Sequence, residues 1–336
     1  MKKQSYKKVS VIIPTYNESK NIKNCLNALL NQSYPKDKYE IIVVDDGSED
    51  STGEIIKKEF GDKVKFIKQE RQGAGAARNN GVKMAKGEII IFIDADCIAT
   101  YNWIEEMVKL FTYQEIIGVQ GAYSTYQQSI IAQFCQIEFE ERYDRLKKKK
   151  YIDFVGSFSA AFQKEFFIKI GGFKTDFKMN EDVNLSYRII KKGGKLAFNP
   201  NAIVYHLHPD TLIKYLKTKL WRGYWRIQVY KEFQHKIISD DYTPEILKIQ
   251  IIIWYFSFIF LITSFFYSKL IYLFVLSLLI MLITMFNFIK FAVKKNLKVG
   301  LLSPFFLFIR ATAIAIGVGL GLIKIVIDFL FSLFSL

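Results

Sequence analysis

Cysteine is scarce in this chain of 336 residues: there are three. Cys25, Cys97 and Cys135 lie far apart without metal-type spacing, which argues against a redox or metal role and leaves them as small buried hydrophobes. An apolar leader is also lacking. Met1 to Lys8 is basic and polar and the first apolar run is only Val9 to Ile13, so no signal peptide is expected. Negative charge is in deficit, with 32 Asp and Glu against 47 Lys and Arg, a formal charge of +15. That balance calls for an anionic partner: a nucleotide, a nucleic acid or lipid headgroups. Mean hydropathy is nevertheless above zero, because the apolar residues are segregated toward the carboxyl end.

The most informative stretch is Gly87-Glu88-Ile89-Ile90-Ile91-Phe92-Ile93-Asp94-Ala95-Asp96. A short β-branched run after a glycine reads as a buried strand. In a parallel sheet, ligands bind beyond the carboxyl ends of the strands, where Asp94 and Asp96 would lie. Strand alternation would place both carboxylates on one face, suited to a hard divalent cation that also holds phosphate oxygens. As an isolated Asp-x-Asp the pair reads equally as a turn cap followed by a solvated acid.

Strand and helix patterns alternate around this run. Val9–Ile13, Ile41–Val44 and Val64–Ile67 read as strands, and Pro14 to Asn17 breaks the first. Asn17 is expected to cap a helix carrying Ile22, Leu26, Leu29 and Leu30, and helices follow over about 52–60 and 76–85. The alternation predicts an α/β, mostly parallel, doubly wound sheet. Gly73-x-Gly75-x-x-Arg78 is a weak phosphate signal, and Arg78 reads equally as an ordinary loop arginine. Gly156 to Phe162 is rich in small residues that let a partner approach the backbone. Glu181 and Asp182 open a helix, where they can act as first-turn acids or as catalytic groups. A last strand, Ala197 to Tyr205, ends at His206.

Three apolar stretches follow, at about 249–267, 270–289 and 301–323, the last with one charge, Arg310. Each is long enough to cross the hydrocarbon core of a bilayer. Lys290, Lys294, Lys295 and Lys298 lie between the second and third, and bases also precede the first, so the amino-terminal domain is expected on the cytoplasmic side. Residues 211–245 mix aromatics with bases, as in a helix lying in a membrane interface. Arg310, followed by Gly317, Gly319 and Gly321, is expected to pack against a neighbouring helix rather than meet a lipid phosphate. The expected division is therefore 1–210, 211–245 and 246–336.

Taken together, Val9 to Ser19, Asp45-Asp46-Gly47-Ser48, Gly75 to Gly81, Asp94-Ala95-Asp96, Gly171-Gly172-Phe173, Glu181-Asp182-x-x-Leu185-x-x-Arg188 and His206 resemble glycosyltransferase family 2, the inverting enzymes of GT-A fold. The resemblance runs over about Val9 to His208, and the order of the motifs carries it. It implies that Pro14, Tyr16 and Glu18 line a nucleotide pocket and that Asp46, with Asp45, reads the base near Arg78. It implies further that Asp94 and Asp96 hold the donor diphosphate and Mg²⁺ or Mn²⁺, with His206 as an added metal or diphosphate ligand. Asp182 would be the general base and Glu181 its support.

The implied activity is transfer of one sugar from a UDP- or GDP-sugar to a lipid-linked or glycan acceptor at a membrane. The chain departs from the processive synthases of that family, whose Gln-x-x-Arg-Trp is replaced here by Lys219-Leu220-Trp221-Arg222-Gly223-Tyr224. Alternatives are a nucleotide-sugar-binding membrane scaffold without turnover and a sugar-phosphate nucleotidyltransferase. The latter usually has a Gly-rich loop after its first strand, where this chain has Pro14-Thr15-Tyr16-Asn17-Glu18. Nucleic acid is not an expected partner, since the basic residues crowd the membrane side.

Overall fold

A computed structural model describes residues 6–334. In chain order its elements are β1 (Val9–Thr15), α1 (Ile22–Leu30), β2 (Tyr39–Asp45), α2 (Thr52–Phe60), β3 (Lys65–Lys68), α3 (Ala74–Met84), β4 (Ile89–Ile93), β5 (Cys97–Ala99) and α4 (Trp103–Lys109). There follow β6 (Ile116–Ser124), α5 (Ile130–Leu146), β7 (Ser159–Gln163), α6 (Lys164–Lys169), α7 (Glu181–Lys191), β8 (Lys195–His206), α8 (Leu212–Glu232), α9 (Glu245–Ser264), α10 (Leu270–Lys295) and α11 (Leu297–Phe334). The chain divides into two compact units, and residues 127–142 group with the carboxyl-terminal one, so the boundary falls inside α5 and takes most of that helix away from its neighbours in sequence. The apolar runs alone carried no sign of that insertion.

The first unit is a mixed α/β fold on an eight-stranded sheet of order β3-β2-β1-β4-β7-β6-β8-β5. Pairing is parallel for β1–β2, β1–β4, β2–β3 and β6–β8, and antiparallel for β4–β7, β6–β7 and β5–β8. β1 and β4 are buried along their whole length, and β4 accordingly reads as an unbroken apolar run. The helix α3 approaches β1 closely at Gly81, where a Cβ would lie 2.4 Å from a methyl of Ile12. Phe92, Phe162, Phe167 and Phe173 pack together, with Phe173 meeting Phe92 and Phe167 edge to face and the other pairs tilted.

Two local expectations need correction. β1 does not stop at Pro14. Beyond Ile12 it has no registered partner on β4, so the missing N–H of Pro14 breaks no ladder bond there. Asn17 does not cap α1 either: it sits at φ +55°, and its side-chain oxygen accepts from the N–H of Glu49 at 2.9 Å. The helix begins after Asn21, with Ile22, Cys25, Leu26 and Leu29 buried.

The second unit contains three helices long and apolar enough to cross a membrane, α9, α10 and α11. α11 has 38 residues, about 57 Å of helix, and so outruns the 301–323 stretch by far. α8 packs on α11 backbone to backbone. A Cβ on Gly317 would fall 1.9 Å from the Leu220 carbonyl oxygen, and one on Gly223 would fall 2.6 Å from that of Ile314. Phe134 and Ile137 of α5 share a core with Met281, Met285, Leu307 and Ala311.

Above that core Arg310 finds a protein partner. Its Nη1 lies 2.8 Å from Glu138 Oε1, while Lys219 Nζ and the Tyr215 hydroxyl approach Glu138 Oε2 at 2.9 and 3.0 Å. Burial would raise the Glu138 carboxyl, but Lys219 and Arg310 carry it down to about 2.

Candidate active site

The carboxyl ends of β1, β2 and β4 open on a cavity of about 270 Å³. Pro14, Tyr16, Glu18, Asp46, Arg78, Asp94 and Asp96 line it; Asp45, Glu181, Asp182 and His206 do not. Strand alternation is not what brings Asp94 and Asp96 together. β4 ends at Ile93, and the two acids lie on a turn closed by the Cys97 N–H to the Asp94 carbonyl at 3.0 Å. A turn serves where the strand was expected to, because the chain folds back at once into β5, which pairs with the end of β8. That pairing sets Cys97 opposite His206 and carries the imidazole to the motif.

His206 Nε2 is 3.2 Å from Asp96 Oδ2. Its ring stacks on Tyr123 at 4.3 Å between centroids, and Tyr123 stacks on Phe158 at 3.6 Å. Burial would raise the Asp96 carboxyl, but the hydrogen bond and charge of His206 hold it below the ordinary range. Burial and the neighbouring Asp96 and Asp94 push the Cys25 and Cys97 thiols up, so both stay neutral packing groups.

Arg78, a turn into α3 and 4 % exposed, meets neither solvent nor an ordinary loop. Its Nη2 donates to Asp94 Oδ1 at 2.7 Å and its Nη1 to Glu181 Oε1 at 3.0 Å. Glu181 and Asp182 begin α7 directly after Asn180, which takes φ +64°. Asp182 accepts from two backbone N–H groups, Ser157 at 3.2 Å and Val183 at 2.8 Å. Burial, then the charge of Asp182, push the Glu181 carboxyl up to about 7 against the pull of Arg78.

Asp45 and Asp46 part company. Asp45 is fully buried and its Oδ1 accepts from the Ser48 N–H at 2.9 Å, so it braces the turn and stays out of the cavity. Asp46 accepts from Gln69 Nε2 at 2.7 Å and from the N–H groups of Gln72 and Gly73 at 2.8 Å each. It thereby anchors the loop from β3 to α3, which turns into the helix at Gly73 with φ +95°. α3 consequently starts at Ala74 rather than near residue 76.

Sequence reading overlooked Arg71 on that loop, which stacks on Tyr16, and it overlooked Ser157 and Phe158. The small-residue run from Gly156 was the only signal for the last two. Nothing periodic pointed to Arg71.

Four carboxylates, those of Glu18, Asp46, Asp94 and Asp96, face one guanidinium across this cavity. Burial, together with the charges of Asp96 and Asp94 and despite a hydrogen bond from Asn21, raises the Glu18 carboxyl. Among the described residues no three His, Cys, Asp or Glu side chains are grouped to hold a metal ion by themselves. Oxygen donors predominate, and the side chains of Asp94 and Asp96 are 31 % and 26 % exposed, which fits a hard cation completed by water or phosphate oxygens.

The profile of the family described as Glycosyl transferase family 2 matches residues 10–171. The chain is 33% identical over 234 residues to the Glycosyltransferase AglE of Haloferax volcanii, a match over 66% of this chain and 74% of that protein. It is 28% identical over 234 residues, 64% of this chain and 71% of the relative, to a Methanococcus voltae protein. That protein is named dolichyl N-acetyl-alpha-D-glucosaminyl phosphate 3-beta-D-2,3-diacetamido-2,3-dideoxy-beta-D-glucuronosyltransferase. Among solved structures it resembles the mannosyltransferase PcManGT of Pyrobaculum calidifontis in complex with GDP-Man and Mn²⁺, at TM-score 0.63 and 20% identity over 95% of this chain and 88% of that one. This last likeness is one of fold, and the fold is GT-A.

Proposed function

The chain belongs to glycosyl transferase family 2, and from that premise we propose that it is a membrane-bound inverting glycosyltransferase. Its donor would be a nucleotide-sugar, UDP- or GDP-linked, and its acceptor a lipid-linked sugar or polyprenyl phosphate, or a glycan, at the cytoplasmic face. The observation that carries this reading is the cavity in which Asp94 and Asp96 meet Tyr16, Asp46 and Arg78 at the carboxyl ends of parallel strands. Three helices able to cross a membrane, preceded by the cation-rich α8, support an acceptor drawn from the bilayer.

Asp94 and Asp96 would hold Mg²⁺ or Mn²⁺, with His206 beside Asp96. Such an ion supplies Lewis-acid neutralisation of the diphosphate leaving group. It also answers the acidity of the cavity, which by itself would repel a diphosphate. In the chain's own chemistry, Tyr16 and Asp46 would bind the nucleoside. Arg78 would keep Asp94 and Glu181 in register. Asp182 would take the proton of an acceptor hydroxyl as its oxygen attacks the anomeric carbon from the side opposite the departing phosphate oxygen. One carbon–oxygen bond forms as another breaks, the nucleoside diphosphate leaves, and the anomeric centre inverts. With a phosphate acceptor, already anionic, Asp182 would orient the nucleophile.

The test is transfer from radiolabelled UDP- and GDP-sugars into extractable lipid by the purified full chain, with Mn²⁺ and membrane lipids, with and without EDTA. Labelled lipid that disappears with EDTA is the expected result. Asp96→Ala and Asp182→Ala should each abolish it, and wild-type rates in both would refute the site assignment. Metal-dependent release of free sugar without labelled lipid would keep the donor and refute the acceptor.

A further inference from the structure

Resting on the nucleotide-sugar reading, we propose that Arg71 is a positioning residue for the donor's nucleobase, acting through Tyr16. The Arg71 guanidinium lies 3.8 Å from the centroid of the Tyr16 ring, and its Nη1 donates to the Tyr16 hydroxyl at 2.8 Å. One side chain therefore holds both the face and the edge of that ring. Tyr16 lines the cavity and Arg71 does not, so the guanidinium braces the ring from outside.

The support under Arg71 is itself built. Gln72 and Gly73, the next two residues, donate their N–H groups to Asp46, and the N–H of Gln69 donates to the Asp45 carbonyl at 2.9 Å. Gly47, at φ +78°, passes so close that a Cβ there would lie 3.1 Å from the Arg71 nitrogen. Asp46, the residue assigned to read the base, thus also anchors the loop that carries Arg71. A tyrosine at the rim of an open cavity would otherwise sample several rotamers. The stacked cation selects one and leaves the cavity side of the ring for a planar base. A guanidinium suits this because it keeps its charge and stacks as a plane, which an ammonium does not.

The experiment measures UDP and GDP binding to the detergent-purified full chain by calorimetry, for the parent and for Arg71→Ala, Arg71→Lys, Tyr16→Ala and the double variant Arg71→Ala/Tyr16→Ala. Arg71→Ala should weaken the nucleotide that binds by about three- to tenfold, the range of a partly exposed cation–ring contact. In the transfer assay the loss should fall on the donor KM, with kcat the smaller change. Arg71→Lys should recover only part of the affinity. The double variant should bind no more weakly than Tyr16→Ala, because Arg71 acts through the ring. Unchanged or tighter binding in Arg71→Ala, or losses that simply add, would overturn the proposal while leaving the donor reading intact. A parent protein that binds neither UDP nor GDP would overturn both.

Discussion

Asp94 and Glu181, which begin as separate motifs in the sequence, share one guanidinium: Arg78 reaches Asp94 at 2.7 Å and Glu181 at 3.0 Å. A buried arginine between two acids is costly to leave half-paired. Arg78→Met should therefore lower stability by about 3 kcal/mol and reduce transfer by more than tenfold. Arg78→Lys, a point charge that cannot fork, should fall between that variant and the parent. Chemical unfolding midpoints and transfer rates on the same preparations check this.

Glu181 makes stability depend on pH. Its folded carboxyl is raised to about 7 from an ordinary 4.5, so the folded state favours the protonated form. The contribution is fully present below pH 4.5 and is lost as pH rises through 7. Glu181→Gln has no such titration. Its stability relative to the parent should rise between pH 4.5 and 7 and level off above, as read from unfolding midpoints across that range. A flat difference would refute the assignment.

In the carboxyl-terminal unit, Glu138 and Arg310 are buried at 2.8 Å. Glu138 is the carboxylate of both Arg310 and Lys219, so Glu138→Leu alone leaves two buried cations unpaired and should cost about 3–5 kcal/mol. The double variant Glu138→Leu/Arg310→Met leaves only Lys219 without its carboxylate and should recover part of that loss. Thermal melting in detergent distinguishes the single variant from the double.

The glycines of α11 are not equivalent. Gly317→Leu drives a side chain into the Leu220 carbonyl, whereas a Cβ on Gly319 meets only the Tyr255 hydroxyl at 3.1 Å, the far end of a side chain rather than backbone. The first should separate α8 from α11 and collapse the yield of folded protein. Gly319→Ala should remain within about 1 kcal/mol of the parent, as measured by melting temperature.

The sequence by itself determined the α/β class, the β4 run, the three long apolar helices and the order of motifs that marks the family. Each is local: burial on both faces makes an unbroken apolar strand, and a helix able to cross a bilayer must be apolar over its length. Only the tertiary structure decided which acids face the cavity. Asp45 and Asp46 are chemically alike and adjacent, yet one turns into the core and the other anchors the β3–α3 loop. Tertiary structure also decided that Arg78 would join Asp94 to Glu181, that Arg71 would brace Tyr16, and that Glu138 would neutralise Arg310. These pairs are distant in sequence and have no periodic signature. A charge finds its partner only when packing removes water and makes pairing cheaper than solvation.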